Sequence, residues 1–152
     1  MTIVAKDIMT KEVITVHPGE DVEKVARLLL EHNISGLPVT DAEGRVLGVI
    51  TEGDLVIREK EIKVPAYGEI LGAVFYLQSP KKFFEELKRT IARSVEELMS
   101  KQIYTVGPEA AVSEISALMV KKSINRVPVV DKDKKLLGIV SRQDIIRAVQ
   151  KG

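Results

Sequence analysis

The chain has 152 residues, 45% hydrophobic and 30% charged, an ordinary globular balance at a length that buries roughly 70% of the unfolded surface. A net charge of +1 gives no electrostatic ground for nucleic-acid binding, and the lack of cysteine excludes disulfides, thiol nucleophiles and thiolate metal sites. The opening MTIVAKDIMT lacks the apolar core of a secretory signal, and no run approaches the roughly 20 apolar residues of a membrane span, so a cytoplasmic protein without a membrane partner is expected.

The first element is a β-rich stretch, Val13 to Val16. Pro18 follows, then a helix in which Val22, Val25, Ala26 and Leu29 share one face by their i, i+3, i+4, i+7 spacing. A short strand is expected over Gly36–Thr40, where Pro38 suits a strand start or an edge. The polar loop 41–45 is short enough for a hairpin into an apolar strand, Val46 to Ile50. Thr51 then opens a second helix.

The next segment, roughly 57–93, holds five of the six aromatic residues: Tyr67, Phe75, Tyr76, Phe83 and Phe84. A disordered linker is aromatic-poor, so this segment is expected to pack. Its first half, Val64 to Gln78, reads as irregular or short strand. Its second half reads as a helix capped by Ser79 with Pro80 at the first position, followed by Phe84, Leu87, Ile91, Val95 and Leu98.

The remaining elements repeat the first set. Ile103 to Val106 is β-rich, Pro108 precedes a helix with Val112, Ile115 and Met119 on one face and Leu118 beside them, and strands follow at Arg126–Val130 and Leu136 to Val140. Ser141 opens the last helix. Met9 to Val56 aligns with Met99 to Ile146 at a constant offset of 90 without a gap. The pairs Met9/Met99, Pro18/Pro108, Pro38/Pro128, Asp41/Asp131, Gly48/Gly138 and Asp54/Asp144 are identical. The expected fold is α/β, two pseudo-twofold-related β-α-β-β-α units packed together with a helical insert between them. The expected domains are 1–60, an insert at 61–93, and 94–152.

The chemistry concentrates where each repeat passes from its last strand into its last helix, at Thr51-Glu52-Gly53-Asp54 and Ser141-Arg142-Gln143-Asp144. A hydroxyl residue followed three positions later by an acid is a helix-capping box. The same turn suits a ligand: helix N-terminal N–H groups hold phosphates, and a carboxylate accepts two hydrogen bonds from a ribose diol. The two roles are compatible. Gly48 and Gly138 read as places of close backbone approach. His17 and His32 read as solvated residues in a turn and near a helix end. They are not at ligand-like spacing, and no metal site is expected.

The runs Ile34 to Asp41 with Leu47 to Asp54, and Ile124 to Asp131 with Leu137 to Asp144, resemble the signature of the CBS domain, named for cystathionine beta-synthase. Two such domains form a Bateman module, and the chain is similar to a stand-alone one. The resemblance implies a regulatory module that binds an adenosine-containing ligand (AMP, ADP, ATP or S-adenosylmethionine) in clefts between the domains. It also implies a homodimer and a regulated partner protein. No catalytic residue and no required cofactor are implied.

By the same resemblance Asp54 and Asp144 hold ribose, with Thr51 and Ser141 as the hydroxyl residues. Main-chain groups of the first strand of the opposite repeat flank the adenine. Ile103 and Tyr104 would then serve the Thr51/Asp54 cleft, and Val13 and Ile14 the Ser141/Asp144 cleft. Pro38 and Pro128 chiefly set strand starts, with base contact secondary. Tyr104 is equally suited to core packing. Arg126 fits a phosphate-binding role in the Thr51/Asp54 cleft, whereas its counterpart is Gly36. One charge-assisted contact is worth about 1.5–3 kcal/mol, so the two clefts are expected to be unequal.

Two other functions compete. One is a structural or interaction protein whose turns are only capping boxes. The other is a hydrolase or transferase, against which stands the lack of a glycine-rich phosphate loop or a serine–histidine–acid set.

Overall fold

The computed structural model describes residues 2–55 and 94–151. The expected insert at 61–93, its irregular stretch and its helix up to Ile91 lie outside these residues. The elements in chain order are α1 (Ala5–Ile8), α2 (Val22–His32), β1 (Gly36–Thr40), β2 (Val46–Thr51), α3 (Val95–Leu98), α4 (Val112–Lys122), β3 (Arg126–Val130), β4 (Leu136–Ser141) and α5 (Arg142–Lys151). Residues 52–55 are helical as well. The described residues fall into two compact units. One takes those of Met1–His17, Leu37–Val49 and Ser100–Gly152; the other takes those of Pro18–Gly36 and Ile50–Met99.

In the smaller unit α2 buries Val22, Val25 and Leu29, the face expected from the spacing. The helix starts because the Asp21 carboxylate accepts from the Lys24 N–H at 2.9 Å, and it ends where Asn33 turns left-handed at φ 51°. The one-turn helix α3 cannot satisfy its own first donors. Its Val95 and Glu96 N–H groups donate instead to the carbonyls of Glu20 and Pro18, at 2.8 and 3.0 Å, in the loop before α2.

The larger unit shows the reciprocal arrangement. There the one-turn α1 donates from Ala5 and Lys6 to the carbonyls of Ala110 and Pro108, at 2.8 and 3.0 Å, in the loop before α4. Each repeat thus lends its first helical turn to the loop of the other. The core of this unit gathers Ala5, Ile115, Met119, Val127, Val129 and Val140, with Val106, Leu118, Ile124 and Ile145 packed against it.

The expected first strand of each repeat is reduced to a single bridge. Val16 pairs with Val39 in parallel, donating to the Pro38 carbonyl at 3.2 Å and accepting from Thr40 at 2.9 Å. Val106 pairs with Val129 in the same way. A parallel ladder extended one step back needs an N–H from residue 38 or 128, and proline has none. The prolines therefore do not sit at strand starts as expected. Each is the third residue of its five-residue strand, fully buried, where its missing donor cuts the ladder.

The remaining strands match the sequence reading, with β2 and β4 one residue longer, through Thr51 and Ser141. Strands β1 and β2 form one sheet, and β3 and β4 another. The second is antiparallel, with Arg126 opposite Ser141, Val127 opposite Val140 and Pro128 opposite Ile139. Both connecting loops are built on an aspartate. Asp41 Oδ1 accepts from the N–H groups of Glu43 and Arg45, and Asp131 Oδ1 from those of Asp133 and Lys135. The Arg45 N–H, then its guanidinium, hold the Asp41 carboxyl below its ordinary pKa against the opposing cost of desolvation.

Within the larger unit the hydrogen bonds exchange in twofold fashion. Val46 donates to the Lys134 carbonyl and Leu136 to the Gly44 carbonyl, about a bridge between Arg45 and Lys135. Thr10 pairs with Ile139, and Ser100 with Val49, under the same exchange. These pairings explain a glycine. A Cβ on Gly138 would stand 2.6 Å from Met9 Sδ and 2.9 Å from the Thr10 carbonyl oxygen. The close backbone approach expected of Gly138 is what the structure shows.

Candidate functional site

The turn from β4 into α5 is held by one side-chain pair. The Ser141 N–H and hydroxyl both donate to Asp144 Oδ2, at 2.8 and 3.0 Å, and the Ser141 hydroxyl accepts from the Asp144 N–H at 3.3 Å. The following Arg142 N–H donates to the Asn125 carbonyl, just ahead of β3, at 2.9 Å. The turn after β2 repeats every bond. The Thr51 N–H and hydroxyl donate to Asp54 Oδ2 at 2.9 and 3.2 Å, the Asp54 N–H donates to the Thr51 hydroxyl at 3.4 Å, and the Glu52 N–H donates to the Ser35 carbonyl at 2.8 Å. Both turns are complete capping boxes.

The carboxylates differ in setting. Asp144 is 7% exposed, and its Oδ1 lies 3.5 Å from Arg147 Nη1. Asp54 is half-buried, and the residue at the position equivalent to Arg147 is Ile57. Arg126 stands in register opposite Ser141, so the Cα of the expected phosphate ligand is a strand neighbour of its own repeat's hydroxyl residue. Gly36 opens β1 at the equivalent place.

Val13 and Ile14 are half-buried on a segment pinned at both ends. Thr10 pairs with Ile139, two residues before Ser141, and Val16 pairs with Val39. Ile103 and Tyr104 lie likewise between Ser100, paired with Val49, and Val106, paired with Val129. Val13, Ile14, Ser141 and Asp144 thus belong to one compact unit, together with Ile103, Tyr104, Arg126, Pro38 and Pro128. Thr51 and Asp54 belong to the other.

Tyr104 is neither core nor bare surface. It is half-buried, and the Lys122 ammonium lies 5.0 Å from the centre of its ring, a cation–π contact. His17 is exposed as expected, but it also donates from Nδ1 to the Thr40 carbonyl at 3.0 Å. Sequence reasoning missed Arg147 and Lys122. The i, i+3 spacing of Asp144 and Arg147 on a helix was the available signal for the first. Lys122 and Tyr104 carry none, being brought together only by the fold. Among the described residues no group of His, Asp or Glu is placed to hold a metal ion, and no helix is long and apolar enough to cross a membrane.

Comparison with known families places two matches to the CBS domain in the chain, at residues 5–61 and 95–151. The chain belongs to the CBS-domain family. The matches form a tandem pair, and each includes the one-turn helix, α1 or α3, that precedes the repeat seen in the sequence.

Among relatives, the uncharacterized protein MJ1426 of Methanocaldococcus jannaschii is 32% identical over 95% of this chain and 89% of its own length. The L-aspartate semialdehyde sulfurtransferase of the same organism is 30% identical, but this chain spans only 22% of its length. Among solved structures, the CBS domain pair of protein MJ0100, in complex with 5-methylthioadenosine and S-adenosyl-L-methionine, is 26% identical. It superposes with a TM-score of 0.71 over 99% of this chain and 98% of that one. CBSX2 of Arabidopsis thaliana in complex with AMP is 25% identical, with a TM-score of 0.75 over 97% and 96% of the two chains.

Proposed function

We propose that this CBS pair is a non-catalytic regulatory module of the cytoplasm that binds an adenosine-containing ligand at its two Ser/Thr-x-x-Asp turns and passes the binding on to a partner protein. The observation that carries the reading is the duplicated turn. Two carboxylates are held in the same three bonds at the ends of equivalent strands, in a pair whose relatives were solved with AMP and with S-adenosylmethionine. Each carboxylate accepts the ribose diol, and the hydroxyl and the first helical N–H groups serve a phosphate. Ligand acts on the partner only by favouring one arrangement of the module over another. The module works as a homodimer in this reading.

The family resemblance gives Ile103, Tyr104 and Arg126 to the ligand of Thr51 and Asp54, and Val13 and Ile14 to that of Ser141 and Asp144. Pro38 and Pro128 remain secondary base contacts. For Arg126 a second reading exists: its register opposite Ser141 favours service to its own repeat.

The test is thermal shift and calorimetry with AMP, ADP, ATP, NAD and S-adenosylmethionine on the parent chain, Asp54→Ala and Asp144→Ala. The reading requires stabilisation of the parent by at least one ligand and a loss of sites in each variant. No shift with any ligand leaves the turns as capping boxes and the chain as an interaction module. Arg126→Ala on each aspartate background decides between the two readings of Arg126: it weakens AMP only where the ligand it serves is still bound, by about tenfold or more for a charge-assisted contact.

A further inference from the structure

We propose that Arg147 competes with the ribose for Asp144, so that the Ser141–Asp144 turn carries its own displaceable occupant. The inference rests on the ribose reading above and adds a specificity-determining residue to it.

The capping box engages only one oxygen of Asp144. Oδ2 accepts from the Ser141 N–H at 2.8 Å and from the Ser141 hydroxyl at 3.0 Å. A ribose diol that takes both its bonds from the carboxylate needs the other oxygen, Oδ1. Arg147 Nη1 stands 3.5 Å from that atom. The carboxylate is 7% exposed and the guanidinium side chain 66% exposed, so the cation is the solvated member of the pair. Arg147 lies three residues further along α5, on the same helix face, so the pair is available whenever the helix is formed. In the first repeat the equivalent position is Ile57, with Arg58 one residue further on, and both lie outside the described residues.

An incoming ribose must therefore displace Arg147 at the second turn. A phosphorylated ligand offers the released guanidinium a new partner, and an uncharged nucleoside does not. Arg147 thereby raises the preference of this turn for phosphorylated over uncharged adenosine ligands. A half-exposed pair is weak, so the competition amounts to about two- to fivefold in affinity.

The experiment uses the full chain carrying Asp54→Ala, so that only the second turn binds, and titrates adenosine and AMP calorimetrically into that parent and into its Arg147→Ile and Arg147→Gln derivatives. The expected result is a two- to fivefold gain in adenosine affinity for both derivatives and a fall in the ratio of AMP to adenosine affinity. Raising the salt from 50 to 500 mM (about a threefold fall in screening length) tightens adenosine in the parent and leaves the derivatives unchanged, a response that a purely structural role would not give. Adenosine affinity that is unchanged or weaker in both derivatives overturns the competition while leaving the ribose reading intact. Absence of binding of either ligand to all three chains overturns both.

Discussion

The turn at Thr51–Asp54 and the turn at Ser141–Asp144 make the same hydrogen bonds with different surroundings. Distances between equivalent atoms agree to within about 0.2 Å. Beside that shared frame the second turn has two arginines, Arg126 across the sheet and Arg147 along the helix; at the equivalent positions the sequence of the first has Gly36 and Ile57, with Arg58 one residue further on. Both repeats keep the box itself, and the charges placed near it differ. A capping box fixes backbone geometry whatever stands nearby. On the proposed ribose reading, the neighbouring cations decide how the carboxylate is shared.

The comparison breaks most visibly in stability. Asp144→Ala removes a buried carboxylate and leaves the Ser141 N–H without its acceptor, at a cost of about 2 kcal/mol. Asp54→Ala removes the same bonds from a half-buried site and costs about 1 kcal/mol. Urea unfolding of the two variants side by side measures the difference. If Asp54→Ala proves the more costly, burial is not what separates the turns.

The two long helices sharpen the contrast at their starts. Asp21 caps α2, whereas Ala111 at the same place before α4 has no side-chain acceptor. Exchanging them is expected to cost about 1 kcal/mol for Asp21→Ala and to gain about 0.5–1 kcal/mol for Ala111→Asp. The gain is the smaller because the third helical position is Lys24 in α2 but Glu114 in α4, which repels a second carboxylate. Thermal unfolding of both variants provides the check, and a destabilised Ala111→Asp chain would contradict the cap account.

Much of this was legible in the sequence. The offset of 90 is carried by apolar, glycine, proline and turn-aspartate pairs, and those are the residues that packing and turns constrain most. The sequence places strands β1 and β3 to the residue, because their apolar runs are bounded by polar loops. The buried faces of α2 and α4 followed from their spacing. The helices α1 and α3 were not legible as repeats. Four residues are too few to show a period, and their donors are satisfied by a loop of the other repeat. The prolines differ in one respect: the sequence places Pro38 and Pro128 where strands begin, whereas in the structure their effect is to limit pairing on the other edge. At the candidate site the boxes were legible because their partners are three residues apart. The Lys122–Tyr104 contact was not, because nothing local joins positions 104 and 122.

The smallest expected effect lies at the other ends of the same helices. Both α2 and α4 finish on a residue in the left-handed region, Asn33 at φ 51° and Ser123 at φ 55°. The bond that closes each end is the same: Ile34 donates to the Leu29 carbonyl and Ile124 to the Met119 carbonyl, both at 3.0 Å. Asparagine visits this region at little cost because its short amide bonds locally, but serine carries the ordinary penalty of a Cβ. Ser123→Asn should therefore raise stability by about 0.5 kcal/mol, and Asn33→Ser should lower it by a similar amount. Ser123→Gly relieves the same strain but gives part of the gain back to the unfolded chain, so it should fall below Ser123→Asn. That order, measured by chemical unfolding, separates strain in the folded helix end from freedom in the unfolded one. If glycine exceeds asparagine, relief of Cβ strain at position 123 outweighs the freedom that glycine returns to the unfolded chain.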